Sequence, residues 1–86
     1  MPYIAGMTIG KNQNELTELA DEAIRNEPGC ETARVPSVLP LSHAGSGRNW
    51  EIPNVVLGDS LISDVDRAVM TVHRRLGRAF HLMVEE

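Results

Sequence analysis

Aromatic side chains are nearly missing from this chain: among 86 residues there is one Trp, one Tyr and one Phe. A core with so little aromatic volume has to be filled by aliphatic residues. Cysteine is too scarce for an internal disulfide, because Cys30 stands alone. Small secreted domains are usually stapled by several bridges, so a reducing, cytoplasmic setting is the expectation. Positive charge is in deficit, with 8 Lys and Arg against 12 Asp and Glu and a formal net charge of -4. That balance opposes general binding to nucleic acid or to an acidic membrane, since both require a positive field. No apolar run approaches the roughly 20 residues of a membrane-crossing helix. The first ten residues have neither the basic start nor the apolar stretch of a secretory signal. Repeats and low-complexity tracts are absent as well.

The remaining composition fits one small domain. A chain of this size buries only about 60–65 % of its unfolded surface. Self-association is therefore an economical way to hide more apolar area.

The organising stretch is the last third, Asp59 to about Arg78. Leu61, Ile62, Val65, Ala68, Val69, Val72 and Leu76 recur in steps of three and four, which keeps one helix face apolar. Asp59 or Ser60 is placed to cap the start, acids come early and arginines late, and Gly77 reads as a stop. Such a helix is about 30 Å long, enough to span a small domain. A second helix is predicted over 13–26. Asn12 and Glu15 fit a capping box, Leu16, Leu19, Ala20, Ala23 and Ile24 form its stripe, and Pro28-Gly29 ends it. Its other face is acidic, with Glu15, Glu18, Asp21 and Glu22 read as solvated.

Between the helices the pattern is extended. Residues 31–41 place Ala33, Val35, Ser37, Leu39 and Leu41 on one face, with Thr32, Arg34 and Val38 on the other. Pro36 and Pro40 confine such a strand to an edge. Ser42 to Gly47 reads as a hairpin loop, and 48–57 as the returning strand, interrupted at Pro53-Asn54. Residues 1–11 read as a loose arm or a short edge strand. Residues 79–84 suit either a further strand, through Phe80, Leu82 and Val84, or a helix extension, through Phe80 and Met83. The expected class is α+β: two helices packed on one face of a small antiparallel sheet, in the order α-β-β-α.

Few residues point to chemistry. Cys30, His43, His73 and His81 are metal-ligand types, but their separations of 13, 30 and 8 residues contain no close pair. No metal and no cofactor is expected on that spacing. His73 sits at the edge of the apolar stripe and reads as a half-buried histidine touching a backbone carbonyl. The loop from Ser42 to Trp50 is rich in glycine and serine, and His43 and Arg48 are its candidates for holding an anion or ligand. It lacks both phosphate-loop signatures and leads into a strand, so a plain turn is the simpler reading. A catalytic set has no motif to support it. The clearest functional signal is an arginine face. Arg67, Arg74 and Arg78 recur at seven and four, with Arg75 beside them. They are read as a solvated face, as charge partners of the acidic helix within a chain or across a dimer, or as a nucleic-acid surface. Trp50 is the largest single core contribution if buried, and a partner anchor if exposed.

The expected function is that of a small, non-catalytic cytoplasmic protein acting through protein–protein interaction, mainly with itself as a homodimer. The partner-binding candidates are Arg67, Arg74, Arg75, Arg78 and Trp50. The alternatives are a nucleic-acid-associated regulator using the same arginines, or a minor enzyme or ligand-binding protein with its site at the loop.

Overall fold

The computed structural model describes residues 8–41 and 48–83. The first helix, α1 (Gln13–Arg25), forms where periodicity places it. The Asn12 side chain accepts the Glu15 N–H at 2.8 Å, and the Glu15 carboxylate accepts the Asn12 N–H at 3.3 Å. Two free first-turn donors are thereby satisfied. Leu16, Ala20 and Ile24 are buried, with Leu19 and Ala23 packed beside them. Beyond Pro28 the chain turns at Gly29, whose φ of 83° suits glycine. A Cβ there would also lie 2.5 Å from the Asp64 carboxylate.

The segment predicted as one strand over 31–41 pairs only at its ends. A single antiparallel bridge joins Arg34 to Val56, and β2 (Leu39–Pro40) pairs with β3 (Trp50–Glu51). Pro36 and Pro40 have no N–H to give a ladder, so a long strand is not available. Side chains of α1 take the place of the missing strand. Gln13, Thr17 and Asp21 are spaced by four and form one ridge on the helix. Gln13 Nε2 donates to the Val38 carbonyl at 2.8 Å, and Thr17 Oγ1 accepts the Val38 N–H at 3.1 Å. Asp21 Oδ1 accepts the Val35 N–H at 2.7 Å and Arg34 Nε at 3.1 Å, while Arg25 Nε donates to Oδ2 at 3.2 Å. Eight helical residues span about 12 Å and three extended ones about 10 Å, so the ridge matches the segment it serves. Asp21 is only 7 % exposed. Its placement on the solvated acidic face is therefore corrected, whereas Glu18 and Glu22 are exposed. Burial by itself pushes the Asp21 carboxyl up. The Val35 N–H and the Arg34 and Arg25 guanidiniums outweigh it and hold the group below its ordinary value. The expected two-residue alternation also slips after Pro36: Ala33, Val35 and Val38 are buried, and Leu39 is exposed.

The second helix, α2 (Ile62–Ala79), is continuous, and Val65, Ala68 and Val72 face the core with Val69 and Leu76 packed against them. Its ends differ from expectation. Neither Asp59 nor Ser60 caps it; Leu61 holds that position without a side-chain bond. The Asp59 N–H is drawn instead to Thr32 Oγ1 at 2.8 Å. Gly58, at φ 60°, lets that turn close on the Thr32 carbonyl, which a Cβ would meet at 2.5 Å. The apolar stripe therefore begins at Val65, and Leu61 and Ile62 are exposed. Gly77 does not stop the helix, which runs to Ala79. It makes room for Arg48, whose Cδ would lie 3.3 Å from a Cβ at that position.

The chain's outer segments meet. β1 (Ile9–Lys11) and β4 (Phe80–Leu82) form a parallel pair, Gly10 opposite His81. Of the two ambiguous segments, Ile9–Lys11 and Phe80–Leu82 are strand, while residues 1–7 and Val84 lie outside the described residues. The far side of β4 is served by Asn49, whose side chain accepts the Leu82 N–H and donates to the Leu82 carbonyl, each at 2.9 Å. An amide side chain thus stands in for a neighbouring strand and links the two pairs. The class is α+β: two helices, the small antiparallel pair β2–β3, and the parallel pair β1–β4. Cys30, Trp50, Ile52 and Leu82 complete the core. Among the described residues no helix is long and apolar enough to cross a membrane.

Asp21→Ala strands the buried Val35 N–H and is expected to destabilise the fold by about 2–4 kcal/mol. Glu18→Ala, one turn away on the exposed face, should cost under about 0.5 kcal/mol. Urea midpoints of the two variants check this contrast.

Candidate functional site

Arg48 enters β3 with its guanidinium anchored, since Nε donates to the Trp50 carbonyl at 2.6 Å. Its aliphatic stem crosses α2 at Gly77. The four-residue repeat of α2 sets Met70, Arg74 and Arg78 on one ridge and His73 and Gly77 on the next. These six residues line a groove of about 460 Å³. Among the described residues the ion pairs join Asp21 to Arg25 and Arg34, and Asp64 to Arg67. None of Arg48, Arg74 or Arg78 belongs to one. Three guanidiniums thus share a groove without a carboxylate from the described chain.

His73 forms the inner wall. Nε2 accepts the Ile52 N–H at 2.9 Å, and the ring stands edge-on to Trp50 at 5.8 Å between centroids. Burial, helped by the Arg48 charge, pushes its pKa from 6.5 to about 4. A backbone N–H can only donate, so Nε2 is bare and the neutral ring carries its proton on Nδ1. The expected contact to a backbone carbonyl is replaced by one to a backbone N–H.

Met70 also lines a second cavity, of about 420 Å³, along α2. Its walls are mainly apolar, with Ile52, Val55 and Leu57 from the extended chain and Ile62 and Val69 from the helix, and Asn54 and Asp66 are its polar members.

The sequence candidates separate accordingly. Arg48, Arg74 and Arg78 line the same groove, although the sequence pattern sets Arg48 in the loop and the others on the helix face. Arg67 and Arg75 are exposed outside the groove, and Arg67 reaches Asp64 at 3.4 Å. No ion pair among the described residues joins α2 to the acids of α1, so pairing of the two helices within one chain is corrected. Trp50 is fully buried, and its indole N–H donates to the Phe80 carbonyl at 3.2 Å. It offers no surface to a partner. His43 and the turn around it lie outside the described residues. Cys30 is buried, and burial, reinforced by Asp64, Glu31 and Glu27, raises its thiol pKa. That makes it a poor nucleophile at neutral pH. His81 lies on β4 beside Thr8. Among the described residues no three His, Cys, Asp or Glu side chains gather as metal ligands.

Met70, His73 and Gly77 were missed as groove residues. A legible signal existed: Gly77 in the interior of a helix costs about 1 kcal/mol against alanine. A close neighbour was the reason to look for.

The unfolded chain takes up the His73 proton near pH 6.5 and the folded chain only near 4. Its contribution is complete above pH 6.5 and is lost as the pH falls towards 4, up to about 3 kcal/mol. Asp21, with its lowered value, adds a separate loss below its ordinary 3.8. Urea midpoints measured across this range should fall in two stages, and His73→Gln should remove the upper one. Set against known protein families, curated proteins and solved structures, the chain finds no match.

Proposed function

We propose that this chain is a small non-catalytic binding protein that works by associating with a second copy of itself. The observation that carries the reading is the exposed apolar surface around the start of α2. Leu61, Ile62 and Met70 are each about two-thirds exposed. Ile62 and Met70 line the mainly apolar cavity between α2 and residues 52–57, and Leu61 precedes Ile62 at the start of the helix. A clustered apolar surface on so small a domain favours a partner.

Charge favours a second copy as that partner. The outer face of α1 exposes Glu15, Glu18 and Glu22, while α2 exposes Arg67 and Arg75 outside the basic groove. An isologous interface places each acidic face against the partner's basic one. Such rim pairs add little affinity but select the partner and its orientation. A lone, buried Cys30 is compatible with a reducing compartment.

Light scattering is expected to give about twice the 9.5 kDa chain mass at roughly 50 μM. Ile62→Asp combined with Met70→Asp should restore the monomer with an unchanged helical circular dichroism signal. A wild-type monomer at about 200 μM, or a dimer indifferent to both substitutions, overturns the reading.

A further inference from the structure

The geometry points to a binding site for a small phosphomonoester in the groove between Arg48 and the last turns of α2. The proposal is independent of self-association, which draws on the apolar end of the same flank.

The groove concentrates charge that the described chain leaves unanswered. Arg48, Arg74 and Arg78 line one groove of about 460 Å³, and none has a carboxylate partner among the described residues. This occurs in a chain whose net charge is -4, so the positive field is local. Three cations that line one groove favour an anion there. A carboxylate brings a single charge and two oxygens. A phosphomonoester brings nearly two charges at neutral pH and three acceptor oxygens, which suits three donor forks.

Arg48 is anchored by a hydrogen bond of its own. Its Nε is occupied by the Trp50 carbonyl at 2.6 Å, and its stem rests in the space that Gly77 leaves. The guanidinium is therefore held before any ligand arrives, and less ordering is lost on binding. Opposite, Arg74 and Arg78 come from consecutive turns of one rigid helix. His73 completes the wall as a neutral group, with its Nε2 committed to the Ile52 N–H. The bound Nε2 leaves Nδ1–H as the ring's donor.

The volume exceeds what a bare phosphate fills and falls within the range of small-molecule sites. Met70 and the bare backbone at Gly77 give an apolar wall for the organic part of the ligand. The class is thus a phosphoryl group on a compact organic body.

Nuclear magnetic resonance titrations with inorganic phosphate, phenyl phosphate and benzoate test the site. They are run on the wild type and on the Ile62→Asp variant, with the mass of each read by light scattering at the same concentration, so that binding and self-association are scored separately. Phenyl phosphate should saturate and shift the amides of Arg48, Arg74 and Gly77, inorganic phosphate should bind more weakly, and benzoate should not bind. Arg74→Gln, an exposed position whose loss leaves the core intact, should weaken phenyl phosphate about tenfold or more, and Arg48→Gln likewise. Arg75→Gln should change it less than about twofold, because Arg75 lies outside the groove. No saturable shift by about 10 mM phenyl phosphate overturns the proposal. So does an equal loss in Arg75→Gln, which would mark diffuse attraction. A single-stranded oligonucleotide that binds where phenyl phosphate does not would overturn the small-molecule assignment in favour of a nucleic-acid surface.

Discussion

The fold depends on how a proline-marked segment has its backbone satisfied. Residues 34–38 carry polar groups into the core but lack the N–H donors of a regular strand at Pro36. The ridge Gln13–Thr17–Asp21 supplies what a sheet would have supplied, and the buried Asp21 carboxylate is its strongest member. A buried charge is costly unless it is paired and hydrogen-bonded. Asp21 is both, through one backbone N–H and two arginines. Because α1 is fixed on this segment, Val35 and Val38 are set into the core, and the antiparallel pair β2–β3 begins where the ridge ends.

The same substitution of side chains for strands recurs at the other end of the molecule. Asn49 satisfies both backbone groups of Leu82, and the Trp50 indole caps the Phe80 carbonyl. A chain of 86 residues with two prolines in its central strand region does not build one continuous sheet. It builds two short pairs, joins them through an amide and an indole, and ties the second to α2 through an imidazole. His73 belongs to this set, since it accepts the Ile52 N–H just beyond β3. The basic groove is held in place by these contacts. Arg48 and His73 are both held by the backbone of residues 50–52, and Arg74 and Arg78 by the helix.

The flank of α2 is consequently graded along its length. Its first half presents Ile62 and Met70 beside an apolar cavity, and its second half presents arginines beside a basic one. The two proposals fall on different ends: a second copy of the chain on the mainly apolar one, and a small doubly charged anion on the basic one. Met70 lies at the boundary and lines both.

Local signals in the sequence determined a good deal. The capping box of Asn12 and Glu15, the stripe Leu16–Ala20–Ile24 and the stripe Val65–Ala68–Val72 each act within a few residues, and they placed both helices and most of the core. The arginines of α2 were legible for the same reason, as a helical repeat. Only tertiary structure decided the remainder. Whether Asp21 faces water or a backbone N–H depends on a segment 14 residues away. Whether Gly77 ends a helix or receives Arg48 depends on a side chain from another element. The strand at Ile9–Lys11 exists because Phe80–Leu82 lies beside it. Hydrogen bonds and close approaches between distant segments leave no periodic trace in the chain, so their partners appear only once the fold has brought them together.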